Sequence, residues 1–324
     1  MLYEFSMTPD LFDNSIIGSN ESLGVILVQL LRGVAENGLL ANLHKDRLVR
    51  HVSDYRVKSL RPSLRDKVVT CLNILSNRHR LVRHPKNTTG DPQNDMEWLD
   101  LAWESHQRIP FHGIILSQIL LDKCSHTDPA LIEFSGILDS ARWLSRQRTL
   151  TLTKCEADYR SALASILRHA KSLSLVDPWL NTQESRYFDT VRVCSEVMGQ
   201  RGHARLLGRV HIHAEFGKQK PDGKSLNEYL ENWGKKLNQL KRQDGHRFKV
   251  FLWESLPGSE RLHDRFILTD QCGISVPGGL DCRTHSRANS TNWNLLDENA
   301  RILRLNDYDP QISPFSLRGQ IEVF

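Results

Sequence analysis

A histidine and an arginine lie two residues apart in the segment His263-Asp-Arg-Phe-Ile-Leu-Thr-Asp270. Apolar residues on both sides of the short polar turn at 270–273 predict a β-hairpin, which Pro277-Gly-Gly-Leu-Asp281 closes. Because alternate strand residues point to the same face, His263 and Arg265 are expected to project together. A histidine can act as nucleophile or general acid, and a guanidinium can hold phosphoryl oxygens. The spacing therefore predicts a site for phosphate-ester chemistry.

These residues resemble a known family. The spacing His263-x-Arg265-x4-Asp270 matches the His-x-Lys-x4-Asp pattern of the phospholipase D superfamily, with arginine in place of lysine. Together with Gly279-Leu-Asp281, it is also similar to the phospholipase-D-like C-terminal domain of the MIT-domain proteins. The superfamily resemblance implies a phosphohistidine intermediate, whereas the MIT-domain relatives imply phosphoinositide binding. The superfamily resemblance makes His263, Arg265, Asp270 and Asp281 the candidate catalytic residues. Strand parity favours a structural role for Asp270 at the turn.

Two stretches are candidates for the Gly-Ser-x-x-Asn element that follows this pattern in the superfamily. Pro277–Asp281 has the spacing, with no serine and with aspartate in place of asparagine. Asn289-Ser290-Thr291-Asn292-Trp293 resembles the Gly-Ser-x-Asn-Trp variant. Both interpretations stay open, so Ser290 and Asn292 are possible neighbours of the site. Asp177 is a further one, because the superfamily also has an Asp-Pro-aromatic loop near its site.

The superfamily reaction uses two histidines, and the chain contains one such pattern. The resemblance therefore implies a homodimer in which each protomer supplies one His263. His211 or His213 of the same chain is the alternative partner. The stretch 209–216 alternates strictly and places both histidines on its polar face, and a solvated face of an edge strand is the competing interpretation. The superfamily needs no metal, and we expect neither a metal nor another cofactor.

The patterns predict two domains with different architectures. Over residues 151–324, helical patterns at about 157–171 and 225–242 alternate with strand patterns at 173–176, 209–216 and 247–253. This order predicts an α/β domain, a mixed sheet flanked by helices, as the phospholipase D resemblance implies. Residues 1–150 are predicted to form a mostly helical domain that binds nucleic acid or a partner protein, with helices at 22–40, 62–75, 96–106, 114–124 and 129–146.

Basic residues concentrate in the predicted helical domain. Residues 45–86 contain twelve Lys and Arg against three acidic residues, and Arg78-His-Arg-Leu-Val-Arg-His-Pro-Lys86 is the densest part. Arginine suits phosphate contact, so we predict nucleic acid as a partner. A solvated helical face is the alternative. The candidate contacts are Arg78, Arg80, Arg83 and Lys86.

These features favour a metal-independent phosphodiesterase, most simply a nuclease that acts through a phosphohistidine. A non-catalytic module that binds phosphate on a lipid headgroup or nucleic acid is the alternative, favoured by Arg265 and the missing serine. Joining a helical partner domain to such a nuclease also suits bacterial anti-phage or mobile-element systems. The 39% hydrophobic content, the net charge of +5 and the lack of a long apolar run or leader predict a cytoplasmic protein without a transmembrane segment. Six scattered cysteines are expected to be reduced thiols.

Overall fold

The computed structural model describes residues 1–18, 20–84, 90–198, 208–219, 225–255, 262–282 and 289–323. The chain divides into two compact units. The N-terminal unit comprises Leu2–Gln147, and the C-terminal unit comprises Arg148–Phe324 together with Met1. Each unit is built on its own β-sheet with helices, so both are α/β. No helix among the described residues is long and apolar enough to cross a membrane.

A parallel sheet forms the centre of the N-terminal unit. Its strands are β1 (Tyr3–Met7), β2 (Gly38–Asn42), β3 (Leu81–Arg83), β4 (Gly113–Leu116) and β5 (Leu131–Glu133). They pair in the order β3-β2-β1-β4-β5, all in parallel. The helices are α1 (Asn14–Ile17), α2 (Glu21–Asn37), α3 (Leu43–His51), α4 (Pro62–Asn77), α5 (Asp95–Arg108), α6 (Gln118–Lys123) and α7 (Ala141–Leu144). Strand and helix side chains share one hydrophobic core.

This sheet corrects the prediction of a mostly helical N-terminal domain. The stretch predicted as one helix over 22–40 is α2 followed by β2, and the stretch over 114–124 is β4 followed by α6. The stretch over 129–146 contains β5 and only the short α7. Every residue of β2 and β4 is buried. A strand that is covered on both faces has no polar alternation, so its apolar run cannot be distinguished from a buried helix by periodicity.

The C-terminal unit is built on an eight-stranded mixed sheet. Its strands are β6 (Thr149–Thr153), β7 (Ser172–Val176), β8 (Arg209–Glu215), β9 (Arg247–Glu254), β10 (Phe266–Thr269), β11 (Gly273–Ser275), β12 (Ser290–Leu295) and β13 (Ser316–Val323). The strand order is β13-β9-β8-β7-β10-β11-β12-β6. Only β7, β8 and β9 pair in parallel. The helices are α8 (Glu156–Leu167), α9 (Ser185–Val197), α10 (Leu226–Asp244) and α11 (Glu298–Asp307).

The structure confirms the α/β alternation predicted for this unit. The helical and strand patterns correspond to α8, β7, β8, α10 and β9. Two predictions about the strands were wrong. The hairpin strand β10 begins at Phe266, so His263 and Arg265 precede it, and β8 lies between β7 and β9 rather than at an edge of the sheet. The alternating run Thr149–Thr153, which forms β6, was overlooked.

Candidate functional site

Loops from distant parts of the chain meet along one edge of the C-terminal sheet, namely the edge formed by the ends of its strands and not by an outermost strand. The carboxyl ends of β7, β8 and β9 lie at this edge because the three strands are parallel. Antiparallel pairing adds the amino ends of β10 and β12 and the carboxyl ends of β11 and β6. The loop after β7, the residues before β10 and the loop after β11 therefore meet there. Most polar residues of the candidate site belong to these loops.

Asp177, the first residue after β7, is the buried centre of this edge. Its side chain is 1% exposed, and its two oxygens accept hydrogen bonds from the backbone N–H groups of Trp179 and Leu280, each at 2.9 Å. The Arg265 guanidinium lies alongside, with 3.6 Å between Nε and Asp177 Oδ1. Burial raises the pKa of Asp177, and the two backbone donors and Arg265 oppose that shift. The carboxylate thus links three separate segments.

A second carboxylate, Asp281, holds two further cations in place. The Lys154 ammonium, directly after β6, forms an ion pair with Asp281 Oδ1 and also donates to the Gly278 carbonyl. Arg186 Nη1, on α9, lies 4.0 Å from Asp281 Oδ2. The Tyr159 hydroxyl donates to the Asp281 carbonyl at 3.2 Å. Asp281 therefore pairs with a lysine and an arginine from two distant elements, and Arg186 also pairs with Glu184 at 2.5 Å.

The glycines of that loop allow the close approach. Gly279 has a φ of +92°, in the left-handed half of the backbone map that favours glycine. A Cβ atom at this position would lie 3.2 Å from Asp281 Oδ1, 3.7 Å from Asp177 Oδ2 and 3.8 Å from Arg265 Nε. At Gly278 it would lie 2.6 Å from Thr291 Oγ1. Both carboxylates and Arg265 therefore surround Gly279 directly.

Arg265 and His263 differ in how exposed their side chains are. Arg265 Nη1 donates to the Pro277 carbonyl at 3.1 Å, and its Nε makes no hydrogen bond although it lies near Asp177. The His263 side chain is 68% exposed, and its Nε2 lies 3.8 Å from Asp264 Oδ1. The arginine is thus oriented by the loop after β11, whereas the imidazole next to it is accessible to a ligand.

The alternative partners His211 and His213 do not share that accessibility. His213 is 2% exposed; its Nδ1 accepts a hydrogen bond from Trp253 Nε1 at 3.1 Å, and its ring stacks on Phe251. Burial holds the pKa of His213 well below its ordinary value, so the ring is neutral. Burial and the nearby Arg209 and Lys249 likewise lower the pKa of half-buried His211. The interpretation of 209–216 as an edge strand with a solvated polar face is wrong at His213. Strand β8 lies between β7 and β9, and the His213 ring is buried against Phe251.

Of the remaining candidates, only Asp270 lies at the other end of the strands, whereas Ser290 and Asn292 lie at the amino end of β12. Asp270, at the far end of β10, accepts hydrogen bonds from the backbone N–H groups of Lys171 and Ser172 at 2.8 and 3.2 Å. It therefore anchors the start of β7 at the opposite edge of the sheet. Ser290 and Asn292 are exposed on β12, where Asn292 Oδ1 accepts from Thr151 Oγ1 at 2.9 Å. Of the two candidate stretches for the Gly-Ser-x-x-Asn element, 277–281 and 289–293, the structure brings Pro277–Asp281 to Arg265 and Asp177.

The basic run of the N-terminal unit is largely engaged within its own fold. Arg80 is 3% exposed and donates to the carbonyls of Glu36 and Gly38 at the end of α2. Arg78 Nη1 donates to the Ala35 carbonyl at 3.4 Å. Arg83 is exposed and pairs with Asp46 at 3.0 Å. Buried Arg80 is therefore not available to nucleic acid. The fourth candidate, Lys86, lies outside the described residues.

Sequence reasoning missed Lys154 and Arg186. Both lie outside the histidine pattern, and Lys154 is 127 residues from Asp281. The available signal was the strict alternation of Thr149-Leu-Thr-Leu-Thr153, which predicts a strand that ends directly before Lys154. Pairing of that strand with β12 then carries Lys154 to the same edge as Asp281.

The arrangement suits recognition of an anion. Three cationic side chains, Lys154, Arg186 and Arg265, lie around two carboxylates, Asp177 and Asp281, and the exposed His263 precedes Arg265 by two residues in the chain. Glu184 also pairs with Arg186, at 2.5 Å, so these three cations face three carboxylates before His263 is counted. Guanidinium and ammonium groups that are already oriented bind phosphate oxygens with little further ordering.

Comparisons with known proteins give little beyond this geometry. No protein-family model matches the sequence, and no curated protein matches it. Among solved structures, NucT from Helicobacter pylori aligns with a TM-score of 0.30 and 14% sequence identity, over 51% of this chain and 92% of that chain. An alignment of this extent adds no argument to the residue geometry described above.

Proposed function

We propose that the C-terminal unit is a phospholipase-D-like phosphodiesterase that acts on nucleic acid without a metal ion. The observation that carries the proposal is the convergence of Arg265, Asp177 and Asp281 around Gly279, with the exposed His263 two residues before Arg265 in the chain. The resemblance of the His263-x-Arg265 pattern to the superfamily supports the same reaction class. The +5 net charge of the chain agrees with a polyanionic substrate.

In the proposed reaction, the neutral imidazole of His263 attacks phosphorus, so an N–P bond forms while the P–O bond to the leaving group breaks. A proton donor must deliver a proton to the leaving oxygen. Water then attacks the phosphohistidine and gives one proton to the group that protonated the leaving oxygen. The N–P bond breaks, the phosphoryl group passes to the water oxygen and the imidazole is regenerated. Arg265, with Lys154 and Arg186 behind it, stabilises the charge on the phosphoryl oxygens.

The proposed proton donor is His263 of a second copy of the chain. Of the two alternatives raised within the same chain, His213 is neutral and its Nδ1 is occupied by Trp253. His211 is half-buried and packs near Phe251. A homodimer that pairs two His263 side chains would supply both the nucleophile and the acid. A role in bacterial defence against phage is suggested solely by the association of nucleases of this type with anti-phage systems.

Cleavage in the presence of EDTA tests the proposal. We expect purified protein to cut DNA or RNA in EDTA and His263→Asn to reduce the rate by at least about 10²-fold, because the amide can neither attack phosphorus nor donate a proton. Binding of nucleic acid by this variant should be nearly unchanged. His79→Asn is the matched control: His79 is exposed in the N-terminal unit, with a φ of +54° that asparagine accepts. Cleavage that needs a divalent metal, or full cleavage by His263→Asn, would refute the mechanism.

A non-catalytic phosphate-binding module is the second candidate. The observation that favours it is the tight engagement of the cations: Lys154 is paired with Asp281, and Arg265 with Pro277 and Asp177. This module would bind oligonucleotide or phosphoinositide in a manner that Arg265→Ala weakens, and it would cleave nothing. A wild-type protein without turnover whose binding depends on Arg265 would identify it.

A further inference from the structure

One aromatic side chain of the C-terminal unit is unlike the others. Trp179 is 41% exposed, and it is the only exposed Phe, Trp or Tyr among the described residues of that unit. Trp233, Trp253 and Trp293 are fully buried. A tryptophan offers up to about 250 Å² for burial. Core packing therefore does not account for the position of Trp179.

Trp179 is held next to the cluster around Gly279. Its backbone N–H donates to Asp177 Oδ1 at 2.9 Å, and the same oxygen lies 3.6 Å from Arg265 Nε. The loop is rigidly tied, because Leu180 is fully buried and donates its N–H to the Asp177 carbonyl, and Asn181 Nδ2 donates to the Trp179 carbonyl. The indole is therefore displayed from a fixed backbone, one hydrogen bond away from a carboxylate that pairs with Arg265.

A cation accompanies the ring. Lys218 Nζ lies 4.6 Å from the centroid of the Trp179 ring, in a cation–π arrangement. Lys218 follows β8, whose carboxyl end lies at the same edge of the sheet as that of β7. An exposed ring with a cation over it, beside fixed guanidinium and ammonium groups, matches the way proteins bind single-stranded nucleic acid. Bases stack on aromatic rings there, and basic side chains follow the phosphates.

We infer that Trp179 is a base-stacking platform and that the substrate class is single-stranded nucleic acid. This inference rests on the proposed function, since it assigns the phosphate of the same strand to the cluster around Gly279. A duplex keeps its bases stacked inside the helix and cannot offer one to the indole without unstacking. A lipid surface fits less well, because the exposed residues after Trp179 are polar: Gln183, Glu184 and Ser185.

Binding to strands with and without bases tests the inference. Equilibrium affinity is measured by fluorescence anisotropy for a labelled single-stranded oligonucleotide, an abasic strand of the same length and the corresponding duplex. The measurements use wild type and His263→Asn in EDTA, and intact probe is verified on a gel. The abasic strand retains the phosphates. We expect the base-containing strand to bind roughly 5- to 150-fold more tightly than the abasic strand, and more tightly than the duplex.

Substitutions at position 179 assign the preference to the indole. Trp179→Leu should remove most of the preference for base-containing strands, whereas Trp179→Phe should retain part of it because a ring remains. Ile312→Ala is the matched control, since it also shortens an exposed apolar side chain of this unit, and it should keep the full preference. Thermal unfolding verifies that each variant is folded. The backbone hydrogen bond to Asp177 survives all of these changes, so a general collapse of the loop is not expected.

The outcomes separate this inference from the proposed function. Equal affinity for abasic and base-containing strands overturns the platform while leaving a phosphate site. The same conclusion follows if Trp179→Leu keeps the preference, or if the duplex binds as well as the single strand. Binding to phosphoinositide vesicles that oligonucleotide does not displace, and that Trp179→Leu abolishes, would replace the base with a membrane. Binding to none of these ligands would overturn the proposed function together with this inference.

Discussion

At the residue scale, the buried carboxylates explain how a cationic site is assembled inside a fold. Isolated buried charges are costly, and both aspartates have compensating partners: two backbone N–H donors and the nearby Arg265 cation at Asp177, and the Lys154 and Arg186 cations at Asp281. The acids thereby fix the positions of the cations. Removal of either aspartate would leave a partly buried cation without its partner.

His213 gives a prediction about stability in mild acid. Its pKa lies well below 6.5 in the fold because burial disfavours the imidazolium. The neutral ring's contribution is therefore complete above the unfolded pKa of about 6.5 and declines as the pH falls below it. The loss for one such histidine is at most about 1.4 kcal/mol per pH unit. His213→Gln offers an acceptor to Trp253 without titrating.

Urea unfolding of wild type and His213→Gln at pH 7.5 and 5.5 measures the difference. We expect the unfolding free energy of wild type to fall by up to about 1.4 kcal/mol more than that of the variant over this interval. The reason is that the unfolded wild type takes up a proton at position 213, whereas the unfolded variant cannot. His51, His106 and His211 also have lowered pKa values, and they act equally in both proteins. Parallel pH profiles of the two proteins would show that His213 has an ordinary pKa.

At the scale of elements, the site depends on loops at strand ends rather than on the strands themselves. The loop after β11 supplies Gly278, Gly279 and Asp281, and the loop after β7 supplies Asp177 and Trp179. Antiparallel pairing of β10 with β7 and β11 sets the two loops side by side. A change of conformation in either loop would therefore separate the carboxylates from Arg265.

Gly279→Ala tests this dependence. The substitution forces a Cβ atom into a backbone with a φ of +92° and to 3.2 Å from Asp281 Oδ1. We expect a loss of about 1–2 kcal/mol in unfolding free energy, together with weaker phosphate or oligonucleotide binding. Gly217→Ala is the control from the same unit, because its nearest heavy atom, Glu215 Oε1, would lie 3.9 Å from the new Cβ. Chemical denaturation and binding assays measure both effects, and equal behaviour of the two variants would contradict the structural role of Gly279.

At the scale of the whole molecule, the proposed reaction combines the His263 side chains of two chains. The edge of the C-terminal sheet presents an exposed His263, while His211 and His213 are half-buried and buried. We therefore predict that specific activity falls when the protein is diluted through the dissociation range of a homodimer. Mass photometry gives the fraction of dimer at each concentration, and an initial-rate assay gives the activity. Constant specific activity in a fully monomeric sample would contradict the shared site.

From the sequence alone, local spacing was enough to predict the α/β alternation of the C-terminal half. The alternation along 209–216 and the apolar run at 173–176 are properties of single segments, so periodicity alone predicted strands β8 and β7. The same reasoning failed for β2 and β4, since strands buried on both faces carry no alternation.

The tertiary structure alone decided which side chains meet. His213 is buried because Phe251, Trp253 and Tyr308 pack around its ring, and Arg80 is engaged because the end of α2 offers its carbonyl groups. Lys154 reached Asp281 only through the pairing of β6 with β12. Periodicity reports the environment of one segment, whereas strand order and the partners of buried polar groups depend on contacts between residues far apart in the chain.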